Sequence, residues 1–332
     1  MLLRRELLAA LGAAGALPAG AALAQGGTQG ASWPTRPIQV VVPFPPGGQA
    51  DVTARPVSAA LERVFRQAMP VVNRPGAGGI VGTASVARAA PDGYTALMAL
   101  SSHAMLPESE RLQGRTPAYT VEQFAPIARF TADPTVLLVP AGSPWKTLAD
   151  FVADAKRRPG VITYGSAGNY STLHVAMAML TGAANLDLLH VPFQGGGPAL
   201  TALLSGTLDS LASGPGPASV HVKEGKLRAL ANWGSQRIPG FEDVPTFKEL
   251  GYADVEFYIW TGLFLPVATP SEIQERLRQA SLQVCETDEA LKRALDTAGS
   301  PIAYLDGPAF VNFFNEDSAR LVRAVQRIGK VD

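Results

Sequence analysis

The chain has 332 residues, 47% of them hydrophobic and 17% charged, and Lys plus Arg equals Asp plus Glu at 28 each. That length and hydrophobic share suit a folded chain of one or two domains with a large core, not a disordered one. Balanced charge leaves no polybasic character for nucleic acid or anionic lipid, so any anion this protein recognises must be held in a local pocket.

The first residues read as an address. "MLLRRELLAALGAAGALPAGAALAQ" carries Arg4 and Arg5, then an Ala/Leu run, then Ala22-Leu23-Ala24. This is the three-part pattern of an export signal, with cleavage expected after Ala24 and the arginine pair leaning toward the twin-arginine route. No later segment is long and apolar enough to cross a bilayer. The single cysteine, Cys285, allows no internal disulfide, and its setting beside Ile273, Leu277, Ala280 and Val284 reads as a small packed side chain.

From residue 33 the pattern alternates. "IQVVVPF" reads as strand, "ADVTARPVSAALERVFRQ" as helix, "MPVVN" as strand, "GGIVGTASVARAA" as helix and "YTALMAL" as strand. A second series follows: strand "TVLLVP", helix "TLADFVADAKRR", strand "VITYGS", helix "STLHVAMAML", strand "LDLLHVPF" and helix "PALTALLSG". Strand "LDSLAS", a short helix through "VHVKEG", and strands "KLRALANW" and "VEFYIWTGLFLP" come next, with helical stretches over 271–297 and 308–328 at the end. Such alternation implies α/β architecture with parallel or mostly parallel sheets, and ligands there sit beyond the carboxyl ends of the strands.

Those exits are rich in Gly, Pro and Ser: "PFPPGG", "NRPGAGG", "YGSAGNYS", "PFQGGGP" and "SGPGP" at 213–217. None offers a cluster of Asp, Glu, His or Cys. They supply backbone donors and hydroxyls, which favours holding an anion over moving protons.

Enzyme chemistry finds little to stand on. Gly76, Gly78 and Gly82 make a dinucleotide-like run, but the next strand exits into Ser101, Ser102 and His103 with no acid for a ribose. A nucleophile elbow needs a glycine two residues before its serine, but Tyr164 stands there for Ser166 and Leu211 for Ser213, and Ser171 and His174 share a helical face with no acid nearby. His103, His174, His190 and His221 show no ligand spacing to one another or to Cys285, and the odd separation of Asp187 and His190 puts them on opposite strand faces. Neither a metal nor a cofactor is expected.

Anion capture remains. In "YGSAGNYSTLH" the loop offers Ser166, Asn169, Ser171 and Thr172, with Ser171 or Thr172 as the N-cap of the next helix. The free N–H groups of that first turn suit a carboxylate. "PFPPGGQAD" repeats the arrangement: Phe44 would wall a pocket, Gly47 and Gly48 would let backbone approach a ligand, and Asp51 or Thr53 would cap the helix. Pro56 falls in the first turn if Thr53 is the cap.

These stretches, with "VVNRPGAGGIVGTASVARAAPDGYTALM", "HVPFQGGGPALTALLSG", "VPTFKELG" and "WTGLFLPVATP", resemble the exported Bug-type receptors of tripartite tricarboxylate transporters. The resemblance runs collinearly through the mature chain. It implies a type II periplasmic-binding-protein fold: two α/β lobes joined by two crossover strands, with a ligand cleft between them. Lobe 1 would comprise 33–134 plus 258–332, and lobe 2 would comprise 135–257.

It further implies a monomeric periplasmic receptor, not an enzyme, that delivers a small carboxylate to membrane permease subunits. The ligand would be a di- or tricarboxylate, an acidic amino acid or an aromatic acid. Backbone of "PFPPGG" would contact it, and the loop from Gly165 to Ser171 would hold a carboxylate. Two departures touch specificity. Tyr170 stands where the family usually has Gly, and "LASGPGPAS" leaves Ser213 as the polar candidate in its loop. Phe44, Tyr170, Phe193 and Trp260 leave room for an aromatic acid. A nucleotide-dependent α/β enzyme and a ligand sensor using the same clamp are the alternative readings.

Overall fold

The computed structural model describes residues 33–331. The export signal expected over residues 1–24, its twin-arginine pair and its cleavage point therefore lie outside the described residues.

The first half of the chain opens with β1 (Gln39–Val42). After it come α1 (Gln49–Phe65), β2 (Val71–Asn73) and a single 3-10 turn leading into α2 (Ile80–Ala87). Then follow β3 (Thr95–Leu100), α3 (Ser102–Leu112) and the long β4 (Phe124–Pro134). A second series holds β5 (Val136–Pro140), α4 (Leu148–Arg157), β6 (Thr163–Ser166), α5 (Thr172–Ala184) and β7 (Leu189–Pro192). It continues through α6 (Gly196–Leu204), β8 (Ser210–Ser213), α7 (Pro215–Lys223) and β9 (Leu227–Asn232). The chain ends with β10 (Tyr258–Pro266), α8 (Ser271–Thr287), α9 (Glu289–Thr297), β11 (Leu305–Asp306) and α10 (Gly307–Ile328).

Two sheets result. One has the order β11-β4-β10-β3-β1-β2, the other β7-β6-β8-β5-β9. The expectation of mostly parallel sheets is corrected: β1, β2 and β3 run parallel, as do β6, β7 and β8, but β10, β4 and β11 pair antiparallel and β5 is antiparallel to both β8 and β9. The cause is the crossing. β4 carries the chain from one sheet into β5 of the other with only Thr135 between, and β10 brings it back, so these strands run against the βαβ units they join. Where the two connections meet, Trp233 N–H donates to the Thr135 carbonyl at 2.8 Å and Phe257 N–H to the Trp233 carbonyl at 2.9 Å. The mixed two-sheet α/β architecture with its pair of crossovers is the type II periplasmic-binding-protein fold.

Each helix packs its apolar stripe on a sheet. In α1 the buried positions Ala50, Ala54, Val57 and Leu61 follow helical spacing. The helical stretch read as continuous over 271–297 is two helices, because Asp288 leaves the helical region and its carboxylate accepts from Ala290 and Leu291 N–H, starting α9 afresh.

One buried group carries a pH signature. His103 sits among Tyr119, Phe124, Phe264 and Phe314, with both ring nitrogens unpartnered. Burial pushes its pKa down to about 3. Between the ordinary histidine range near 6.5 and that value, the unfolded chain binds a proton that the folded one refuses, so stability is lost as pH falls. His103→Phe should therefore make stability fall less steeply with acid, by about 1.4 kcal/mol per pH unit in that window. Urea unfolding of both proteins at several pH values measures this; equal slopes would refute it.

Candidate functional site

The loop after β1 is held by a buried carboxylate. Asp51 accepts from Gly47 N–H at 3.1 Å, from Asn73 Nδ2 at 3.0 Å and from Arg55 through Nε and Nη2 at 2.9 and 2.8 Å. Asn73 Nδ2 also donates to the Phe44 carbonyl at 2.9 Å. Burial opposes the charge on Asp51, but the bonds from Arg55, Asn73 and Gly47 outweigh it and hold the pKa below the usual carboxylate value. This corrects the expected cap: α1 starts at Gln49 with Gly48 as its N-cap, and neither Asp51 nor Thr53 caps it. Asp51 organises the loop instead, and Pro56 lies inside the helix, where a missing N–H leaves one carbonyl a turn earlier without its usual partner.

The loop after β6 is built by local bonds. Ser166 Oγ accepts from Gly168 N–H at 3.1 Å and meets His190 Nε2 at 2.7 Å. His190 stacks on His174 with ring centroids 4.3 Å apart, and Tyr170 N–H donates to His174 Nδ1 at 2.9 Å. Burial, then the neighbouring His190, pushes His174 down to about 3; burial pushes His190 down to about 4. Both rings are neutral in ordinary buffer. Their contact with each other crosses 16 residues of sequence and has no signature in spacing. The Ser166–His190 contact has no carboxylate behind it and Ser166 is fully buried, so it fixes the loop rather than activating a nucleophile. Ser171 caps α5, its Oγ accepting from His174 N–H at 3.4 Å, which matches the sequence reading.

These loops bring four helix starts to one small cavity. Its walls include Gly48, Gln49 and Ala50 from the start of α1, Thr172 and Leu173 from α5, Gly196 from α6, and Gly214 and Pro217 from α7. Phe44, Leu100, Ala167, Ser213 and Ile259 complete it. Among the described residues, no ionisable side chain lines it. Helix starts carry unpaired N–H groups and roughly half a positive charge; here α1 and α5 offer the most donors, because Pro198 in α6 and Pro215 and Pro217 in α7 have no N–H to give. α1 comes from the side of the first sheet, and α5, α6 and α7 come from the second. The cavity leaves about 20 Å³ for the centre of a water molecule, room for roughly one water against the roughly 300–1,000 Å³ of small-molecule sites.

The two sides meet backbone to backbone. A Cβ on Gly197 would lie 2.5 Å from the Pro46 carbonyl oxygen, closer than such atoms come. The glycines of the dinucleotide-like run are also used in packing: a Cβ on Gly82 would lie 2.5 Å from the Arg74 carbonyl oxygen. That accounts for the run without a nucleotide.

Of the residues the sequence nominated, Phe44, Gly48, Thr172 and Ser213 line the cavity. Gly47 stands one residue behind, with φ at +82°. Ser166, Asn169, Tyr170, Ser171 and Phe193 lie outside its wall. Asn169 Oδ1 is buried without a partner, and Phe193 N–H donates to the Ser166 carbonyl at 3.0 Å. The Tyr170 ring turns away: its hydroxyl donates to the Gly329 carbonyl at 2.8 Å and accepts from Val331 N–H at 2.8 Å. Trp260 is fully buried among Phe264, Phe310, Phe313 and Phe314. Sequence reasoning passed over Gln49, Leu173, Gly196 and Gly214. Gly196 and Gly214 lay within strand exits already marked as glycine-rich; Gln49 had no signal beyond following two glycines.

Comparison with known proteins points one way. The profile of the family described as "Tripartite tricarboxylate transporter family receptor" matches residues 53–330. A Cupriavidus necator chain, the UPF0065 protein in the gbd 5′ region, is 31% identical over 327 residues, 98% of each chain. The periplasmic binding protein BugD superposes with a TM-score of 0.84 at 25% identity, covering 90% of this chain and all of its own. Rhodopseudomonas palustris MatC with bound malate superposes at 0.81 and 29% identity, covering 88% of this chain and 99% of its own. Rpa4515 of the same species, with adipate, superposes at 0.82 and 26% identity over 89% and 98%.

Proposed function

The chain belongs to the tripartite tricarboxylate transporter receptor family, whose members are periplasmic solute-binding receptors and not enzymes, and on that premise we propose that it captures one small organic carboxylate between its two sheets and delivers it to membrane permease subunits of a tripartite transporter. The observation that carries this reading is the meeting of four helix starts, from both sheets, at a cavity without an ionisable side chain. Such a site stabilises negative charge with fixed dipoles and N–H donors and contains nothing that could abstract a proton.

Residues 33–134 with 258–332 would act as one body and 135–257 as the other, turning about the crossovers at Thr135 and at Trp233 to Phe257. The cavity as it stands is too small for a carboxylate, so the bodies must part to admit one and close around it. Ser166, Asn169, Ser171 and Thr172 would shape or supply the carboxylate loop, with Phe44, Gly47 and Gly48 facing it from the first body and Tyr170, Phe193 and Ser213 at its margins. Dicarboxylates head the ligand class, supported by the malate and adipate held by two structural neighbours. The receptor would work as a monomer.

A thermal-shift screen of the purified protein against di- and tricarboxylates, acidic amino acids and aromatic acids tests this. A ligand at 100 times its Kd should add about 2.7 kcal/mol of stability. A protein that no carboxylate stabilises, or one that converts the added compound, would contradict the proposal.

A further inference from the structure

Tyr170 sits at φ +57°, in the left-handed region that a bulky side chain rarely enters. Its N–H donates to His174 Nδ1 at 2.9 Å, and the N–H of Ser171 donates to the Gly168 carbonyl at 3.1 Å, so this turn is part of the loop that leads into α5. The buried ring then leaves the loop and reaches the far end of α10. There its hydroxyl donates to the Gly329 carbonyl and accepts from Val331 N–H, both at 2.8 Å. Gly329, at φ +73°, turns the chain off α10 at this point. A tyrosine held against its backbone preference, with its hydroxyl used both as donor and as acceptor, points to a function for the ring.

The two ends of this bridge belong to different bodies. α10 packs on α3 and β4 of the first, whereas Tyr170 lies between β6 and α5 of the second. α5 and α10 face each other across a groove of about 680 Å³, lined by Val175, Ala178 and Met179 on one side and by Ala324 and Ile328 on the other. The hydroxyl therefore ties together two helices that leave a gap between them. The same loop meets the first body at a second point, where a Cβ on Gly168 would lie 3.2 Å from the Gly78 Cα.

We infer that Tyr170 is a positioning residue for carboxylate capture: its hydroxyl, bound by the backbone of Gly329 and Val331, clasps the loop before α5 to the first body when the bodies close, and so sets how slowly the ligand leaves. This rests on the carboxylate-capture reading and adds the device that retains the ligand. Parting of the bodies carries Gly329 and Val331 away from the ring, so both bonds must break before the first N–H groups of α5 are uncovered. Association begins with the bodies apart and does not meet this barrier. Tyr170 acts through the loop and does not touch the ligand itself.

Stopped-flow measurement of association and release, with calorimetry for affinity, tests this. The probes are malate, adipate, citrate, glutamate and benzoate, and the tightest of them is used throughout. Tyr170→Phe keeps the ring and removes both bonds. It should release the probe about 2- to 12-fold faster, the factor that one net hydrogen bond is worth, with an association rate within about twofold of the parent. Val331→Pro, which has no N–H to give, should also speed release, whereas Val331→Ala, which keeps it, should not. The double variant Tyr170→Phe with Val331→Pro should release no faster than Tyr170→Phe alone, because both substitutions remove the same bridge.

A parent-like release rate in Tyr170→Phe, or effects of Tyr170→Phe and Val331→Pro that simply multiply, overturns the inference and leaves carboxylate capture standing. So does a loss of affinity that appears in association rather than in release, which a tyrosine serving only to fold the loop would cause. Binding of none of the five probes overturns both readings. If Tyr170→Phe does not fold, the two Val331 variants decide: faster release in Val331→Pro alone supports the bridge, and equal release in both refutes it.

Discussion

Gly197→Ala should leave the protein folded and weaken carboxylate binding by about 5- to 150-fold, the effect of one forced overlap in a packed contact. Gly197 is the second residue of α6, and alanine is the better helix former by about 1 kcal/mol, so folding of the second sheet has nothing to lose. The added Cβ would fall 2.5 Å from the Pro46 carbonyl oxygen and 3.4 Å from the Gly47 carbonyl carbon, on the loop after β1. These are backbone atoms, which cannot swing aside as a flexible side chain can. Closure is then blocked at the contact it depends on, while each body stays intact. Calorimetry with the best ligand from the screen reads the affinity. Small-angle scattering with and without that ligand reads the closure, which the variant should lose. Unchanged affinity would mean the two loops need not meet in the bound form.

Trp260→Ala should cost about 3–5 kcal/mol of stability, the range for emptying a large aromatic site in a core. Trp260 lies on β10, its ring packs among four phenylalanines, and its Nε1 donates to Asp317 Oδ2 at 2.7 Å. The substitution opens a cavity between the first sheet and α10 and leaves a buried carboxylate oxygen without that donor. Denaturant unfolding measures the loss. Trp260→Phe, which keeps much of the volume but not the donor, should fall between. If Trp260→Ala unfolds like the parent yet binds ligand poorly, the ring serves the ligand rather than the core, and the packing described above is wrong at that point.

The sequence was most informative where local rules act alone. Ser171 capping α5, the strand exits rich in Gly and Pro, and the alternation of strands and helices all follow from short-range preferences. They placed Phe44, Gly48, Thr172 and Ser213 at one cavity. It misled where a residue has two uses. Pro56 looked like a first-turn proline and moved the expected helix start to Thr53, whereas α1 runs from Gln49 through the proline and Asp51 spends its charge on the loop.

β4 escaped notice because Pro126, Arg129 and Pro134 interrupt its alternation, although β10 and β11 flank it on its two sides. Arg129 is accommodated by donating to the Ala303 carbonyl and lying over the Phe313 ring. Long-range meetings, such as His174 on His190 or Tyr170 on the chain end, leave no periodic trace and could only be seen in three dimensions.

The central claim is that the helix starts of α1, α5, α6 and α7 jointly hold a carboxylate that the protein does not alter. A crystal structure of the purified protein soaked with the tightest ligand from the screen tests it most directly. The account predicts an unmodified ligand whose carboxylate accepts from the first N–H groups of α5 while the loop after β1 covers it. A ligand seated away from these helix starts, or a converted product in the cavity, would contradict it.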